Sequence, residues 1–150
     1  MKSILLVDDE AIICAQLERT LQGFGFCVES AHTVESAVSL IQKKQFEVIF
    51  LEFNLRSEQN AHHRTGNGLQ LVRHLRDLEL KIPILMFTAM EGELYKTASL
   101  DAGADDFIPK STSISCLVAR LRADIHRYEQ NFSEGTPPVL ARTPLESHRI

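Results

Sequence analysis

Short apolar runs alternate along this chain with segments whose apolar residues recur every three or four positions. The runs occupy residues 4–7, 26–28, 48–51, 82–87 and 106–108. Continuous rather than alternating, they have the pattern of strands buried on both faces of a parallel sheet. Between them, Ile13, Leu17 and Leu21 repeat every four residues, Val34, Ala37, Val38 and Ile41 form one helical stripe, and Leu71, Val72, Leu75 and Leu78 form another. Each stripe gives a helix one face to lay on a sheet. Residues 91–102 offer only Leu94, Ala98 and Ala102 on a face and contain Gly92, which predicts the least firmly packed helix. The last helix is the clearest. Ile114, Leu117, Val118, Leu121 and Ile125 hold one side, Arg120, Arg122, Asp124 and Arg127 the other, and Ser111, Thr112 and Ser113 offer an N-cap.

Five strand–helix units joined by right-handed crossovers predict an α/β fold, a doubly wound parallel sheet whose functional crevice lies outside the carboxyl ends of the strands. The residues that leave each strand therefore matter most. They are Asp8-Asp9-Glu10, Glu52-Phe53-Asn54, Thr88-Ala89 and Pro109-Lys110. Two segments break the pattern. Residues 56–66, with His62 and His63, form a polar stretch too long for an ordinary strand-to-helix connection. From Phe132 onward the chain reads as a linker or flexible tail, which predicts a domain over 1–131 and a tail over 132–150.

Composition narrows the function. A chain of 150 residues, 44% apolar, suits one globular domain and excludes intrinsic disorder. With 16 Lys and Arg against 20 Asp and Glu, it lacks the basic excess of a nucleic-acid binder, so no direct nucleic-acid contact is expected. No apolar run approaches a membrane span, and two aspartates come too early for a signal peptide, so a cytoplasmic, soluble protein is expected. Three cysteines, Cys14, Cys27 and Cys116, are odd in number and widely spaced; they read as buried thiols rather than as disulfides or a zinc cluster. His62 and His63 have no third ligand nearby and read as solvated.

The strand ends carry the chemistry. Asp8, Asp9 and Glu52 are three carboxylates predicted to meet at one sheet edge, where they need a cation to persist as ions. Lys110 is one candidate and Mg²⁺, which favours hard oxygen ligands, is another. Thr88 adds a hydroxyl at the end of the fourth strand. Plainer readings stand beside these: Asp8 and Asp9 as acids at a helix N-terminus, Lys110 as a solvated charge, Thr88 as a helix cap, and Phe107 as core.

Taken in order, these pieces resemble the receiver domains of response regulators. Residues 4–10 (ILLVDDE) are similar to the family's first strand and acidic pair, residues 84–89 (ILMFTA) to its fourth strand with the switch hydroxyl, and residues 102–108 (AGADDFI) with Lys110 to its fifth strand, aromatic switch and lysine. The resemblance implies a flavodoxin-like sheet in strand order 2-1-3-4-5 and a role in phosphorelay signal transduction. It further implies Mg²⁺ held by Asp9, the residue at 52, the backbone carbonyl of Asn54 and, through water, Asp8. Thr88, Phe107 and Lys110 are its switch residues. The partners it implies are a histidine kinase and a downstream effector or output domain.

Three departures modify this picture. Glu52 stands where the family has its phosphoacceptor aspartate. One methylene advances the carboxylate by roughly 1.5 Å, and a misplacement of about 1 Å costs a positioned reaction about 100-fold. Ordinary phosphorylation is therefore not expected, and Glu52 either supplies a standing negative charge to the switch or marks a switch that is lost. Pro109-Lys110-Ser111 replaces the family's Lys-Pro order, which predicts a trans bond after Lys110. Arg56 replaces a usual proline, and the route to Asn67-Gly68 is about eight residues longer than normal.

The resemblance also suggests a dimer face on helix 4, strand 5 and helix 5, with Asp105, Asp106, Arg120 and Arg122 in charge pairs across it. The leading expectation is a non-enzymatic, phosphorylation-independent receiver that works through protein contacts. The alternatives are a conventional Mg²⁺-dependent receiver with residual phosphotransfer and a metal-dependent phosphohydrolase, although the latter's alternate-Asp motif is missing. A flavin or nucleotide carrier is excluded, because Asp8-Asp9-Glu10 would repel the phosphate that such proteins hold after strand 1.

Overall fold

The computed structural model describes residues 1–133. Five parallel strands, β1 (Lys2–Val7), β2 (Phe26–Ala31), β3 (Val48–Leu51), β4 (Ile84–Thr88) and β5 (Asp106–Pro109), lie in the order β2-β1-β3-β4-β5. The helices between and after them are α1 (Ala11–Gly23), α2 (Val34–Lys43), α3 (Asn67–Asp77), α4 (Glu93–Ala102) and α5 (Ile114–Ser133). This is the doubly wound sheet that the alternating pattern predicts, in the flavodoxin-like strand order that the family resemblance implies. Helix α5 runs past the boundary expected at 131, and the expected tail beyond residue 133 lies outside the described residues.

The two-residue period of the strands sorts their side chains into two cores. Leu5, Val7, Ile49, Leu51, Ile84 and Met86 pack with α2, α3 and α4 on one face. Ile4, Leu6, Val48, Phe50, Leu85 and Phe87 pack with α1 and α5 on the other. Because both faces are covered, the central strands β3 and β4 are buried throughout. The long apolar run at 82–87 divides, with Ile82 and Pro83 leading into β4.

Four expectations are corrected here. Leu94 is 79% exposed; the inner side of α4 is Tyr95, Ser99 and Ala102, one position round from the predicted stripe, because Ser99 turns its hydroxyl onto the Tyr95 carbonyl at 2.8 Å and can be buried. Asp124, placed on the polar side of α5, is buried and paired with Arg127. Ile114, placed on the apolar side, lies at the exposed start of α5. Cys27 and Cys116 are exposed, and only Cys14 is buried. Cys27 alternates with the buried Phe26 and Val28 on edge strand β2 and so points away from α1.

Local chemistry sets the helix ends near the site. Ser113 caps α5, its Oγ accepting from the Cys116 N–H at 3.4 Å. The Thr33 and Ser36 side chains form a reciprocal capping box at the start of α2. Gly68, in the first turn of α3, lies against the end of β3: a Cβ there would stand 2.0 Å from the Glu52 carbonyl oxygen. Only glycine permits that approach. The register sets Val7 opposite Ala31 and Leu51, Leu51 opposite Met86, and Thr88 opposite Pro109. Asp8, Glu52 and Lys110 therefore leave the sheet at one edge.

Candidate functional site

At that edge Lys110 lies between two carboxylates. Its Nζ is 2.5 Å from Asp8 Oδ2 and 2.8 Å from Glu52 Oε1, with Glu10 Oε1 at 3.8 Å. The Asp8, Glu52 and Lys110 side chains are 3%, 9% and 14% exposed, so this triad is almost dry. Burial acts to lower the Lys110 pKa, but hydrogen bonds to Asp8 and Glu52 and their charges outweigh it, and the ammonium is held above its ordinary value. No peptide bond among the described residues is cis, as expected at Lys110-Ser111. Lys110 is instead aimed from the backbone, its N–H donating to the Thr88 carbonyl at 2.9 Å.

The remaining lone pairs of the acids are largely used. Asp8 Oδ1 accepts from the Glu10 N–H at 3.0 Å, and Glu52 Oε2 from the Asn54 N–H at 3.3 Å. Thr88 Oγ1 accepts from the Met90 N–H at 3.1 Å, the bond of a cap, while lining the same 380 Å³ cleft as Asp9, Glu52 and Asn54. Phe107 is buried in the core with α2, α3 and α4. Asp9 stands apart: its Oδ2 is buried without a hydrogen bond and faces Arg64 Nε at 3.6 Å. Among the described residues, no group of three His, Cys, Asp or Glu side chains is arranged to hold a metal. Two carboxylates turn to Lys110 and the third to Arg64.

Sequence reasoning missed Arg64. It lies in the long β3–α3 connection, which is folded rather than loose. Glu35 on α2 accepts from the Ser57 hydroxyl at 2.6 Å and the Glu58 N–H at 2.7 Å. Burial pushes the Glu35 carboxyl up, and these hydrogen bonds outweigh it and hold it below its usual range. Asn67 Nδ2 donates to the Leu55 carbonyl at 2.8 Å and to the His63 carbonyl at 2.5 Å, fastening the two ends of the loop. Lone polarity could not show which loop residue reaches the acids; that follows from how the loop closes. His62 and His63 are exposed on it.

The charges expected on a dimer face are otherwise engaged. Asp105 pairs with Arg76 at 2.7 Å, and Arg76 also donates to the carbonyls of Leu80, Ile82 and Gly103. Asp106 accepts from Arg120 Nε at 3.0 Å. Arg122 lies on the α1 side of α5, 5.8 Å above the Phe26 ring, because two helical positions differ by about 200°. It is not on the α4–β5–α5 face.

Cys14 borders the site, its Sγ 3.4 Å from the Asp8 carbonyl oxygen. Burial, and next the Asp8 charge, push its thiol up to about 11. Iodoacetamide at pH 8 is therefore expected to label Cys27 and Cys116 quickly and Cys14 only after unfolding, giving two adducts by mass; three adducts at equal rate would contradict this burial. A raised thiol pKa also costs stability as pH rises, from the unfolded value near 9 up to about 11.

The family model described as the response regulator receiver domain matches residues 4–122. This chain is a receiver domain. It is 32% identical over 136 residues to the response regulator MprA of Mycobacterium ulcerans, covering 91% of this chain and 55% of the relative. The receiver thus spans about half the length of the curated relatives it matches. Among solved structures it resembles a two-component response regulator from Clostridium difficile, at 26% identity and TM-score 0.74, covering 85% of this chain and 98% of that one. It also resembles a Burkholderia pseudomallei response regulator with a phosphorylated aspartic acid, a calcium ion and citrate, at 25% identity and TM-score 0.69, covering 93% of this chain and 78% of that one. Receiver domains are signalling modules of two-component systems, which typically bind Mg²⁺ at the phosphorylation site and interact with histidine kinases and output domains. No helix among the described residues of this receiver is long and apolar enough to cross a membrane.

Proposed function

We propose that this receiver signals without phosphorylation, with the Glu52 carboxylate supplying the negative charge that Lys110 binds. The observation that carries the reading is the 2.8 Å contact of Glu52 Oε1 with Lys110 Nζ in a nearly dry site. Lys110 draws together the ends of β1, β3 and β5 through Asp8 and Glu52, so the ion triad holds one arrangement of the sheet edge. Its output is protein contact with an effector or kinase in the cytoplasm, and the domain performs no catalysis of its own. Homodimerisation through α4, β5 and α5 would rest on the exposed Leu94 and Leu100, since Asp105, Asp106 and Arg120 are paired within the chain.

Incubation with a small acyl phosphate and Mg²⁺, followed by weighing the intact protein, tests this. No mass gain is expected. A gain of one phosphoryl group that disappears in Glu52→Gln would replace the proposal with a conventional receiver.

One observation favours that second reading. The hydrogen-bond-free, buried Asp9 Oδ2 and the hard oxygens around it suit Mg²⁺, which needs only one or two carboxylates and completes its shell with water. Asp9 and the Asn54 carbonyl would hold the ion, which would add positive charge at the acidic edge. Glu52 lines the same cleft and holds Lys110 through Oε1 alone, and Asp8 would reach the ion through water.

A further inference from the structure

We propose that Arg64 is a tethered cation, carried by the β3–α3 loop to Asp9, that competes with a divalent metal ion for the acidic edge. The inference rests on the receiver reading of that edge and adds a residue to it. Asp8, Asp9 and Glu52 bring three negative charges, and Lys110 answers only the two it touches. Asp9, 9% exposed, is left with a buried oxygen that accepts no hydrogen bond. Arg64 Nε lies 3.6 Å from that oxygen, close enough for ion pairing and too far to hydrogen-bond.

The loop fixes Arg64 from its backbone. Its carbonyl accepts from the Leu55 N–H at 3.1 Å and the Asn67 N–H at 3.2 Å, and the neighbouring Gly66 N–H donates to Asn54 Oδ1 at 3.2 Å. The same asparagine whose carbonyl would serve a metal thus anchors the turn that delivers the competing charge. A guanidinium that is 56% exposed can swing into solvent at little cost, so it opposes the ion without excluding it. The extra loop length has a function in this view: it brings a positive charge to the mouth of the cleft that the strand ends alone do not provide.

Calorimetric titration of the intact chain with MgCl₂ tests the proposal. Arg64→Ala and Arg64→Gln are expected to bind Mg²⁺ about fivefold more tightly than wild type at low salt, the scale of an exposed ion pair. Arg64→Lys should bind like wild type, and the gain should shrink as NaCl screens the pair. In an Asp9→Asn background, removing Arg64 should change nothing. Equal affinity of wild type, Arg64→Ala and Arg64→Gln, or no Mg²⁺ binding by any of them, would overturn it. Failure of the phosphorylation-independent reading would show separately, as a phosphoryl mass gain in wild type. Glutamine retains bulk at this exposed position, and thermal melting confirms that both variants are folded.

Discussion

Replacing Lys110 with methionine is expected to lower the unfolding free energy by about 3–5 kcal/mol, the cost of breaking a buried ion pair by removing one partner. Methionine matches the lysine stem in length, so little packing is lost. What remains is two carboxylates, Asp8 and Glu52, each less than 10% exposed and both previously within 2.8 Å of one ammonium. Their repulsion in a low-dielectric edge is no longer answered. Urea denaturation should show a lower midpoint with an unchanged slope, the signature of a stability change alone. Adding Glu52→Gln removes one of the two charges and should recover part of the loss. A cost below about 1 kcal/mol would mean that water screens the triad as it does surface pairs. The sign of the pH effect follows from the raised Lys110 pKa. Its contribution is complete below the ordinary amine value near 10.4 and fades only as pH rises through the still higher folded value. From pH 6 to 9 the lysine stays charged.

Gly68→Ala is expected to cost about 3 kcal/mol, at the upper end of overpacking penalties. In a domain of this size that is a fall in Tm of about 10 °C. The added methyl would meet the Glu52 carbonyl oxygen at 2.0 Å, its carbon at 3.0 Å and the Phe53 carbonyl oxygen at 3.0 Å. All three are backbone atoms, and no side-chain rotation relieves them. Either α3 lifts from the sheet or the end of β3 moves, and the second alters the reach of Glu52 to Lys110. Thermal unfolding checks the prediction, and Gly23→Ala, with nothing within 4 Å of the new methyl, is the control. A Tm within about 2 °C of wild type would show that the first turn of α3 yields freely.

Much of the candidate site was legible because of where strands end. Once the apolar runs at 4–7, 48–51 and 106–108 are recognised as parallel strands, Asp8, Glu52 and Lys110 must emerge on one side, and they do. Helix faces were read less well where a polar residue could bury itself locally. Ser99 satisfies its hydroxyl on its own helix, and Asp124 pairs with Arg127 one turn on, so both lie inward while Leu94 lies out. A hydrophobicity pattern counts such residues as outward-facing. The charges of α5 divide in a way that the sequence does not show. Arg120 and Arg122 look equivalent in sequence, yet one pairs with Asp106 on β5 and the other lies over Phe26 at the opposite edge of the sheet.

The amino-acid sequence was sufficient for the α/β alternation, the sheet edge at which Asp8, Glu52 and Lys110 emerge, and the family. These depend on periodicity and on residues one step beyond a strand, which neighbours in the chain define. Tertiary structure alone decided how the charges are shared. Lys110 takes Asp8 and Glu52 together, while Asp9 is left to Arg64, a residue on a loop with no period of its own. Ion pairing depends on distances across the fold, and those arise only when the β3–α3 loop closes on Asn67 and α3 packs through Gly68 onto the end of β3.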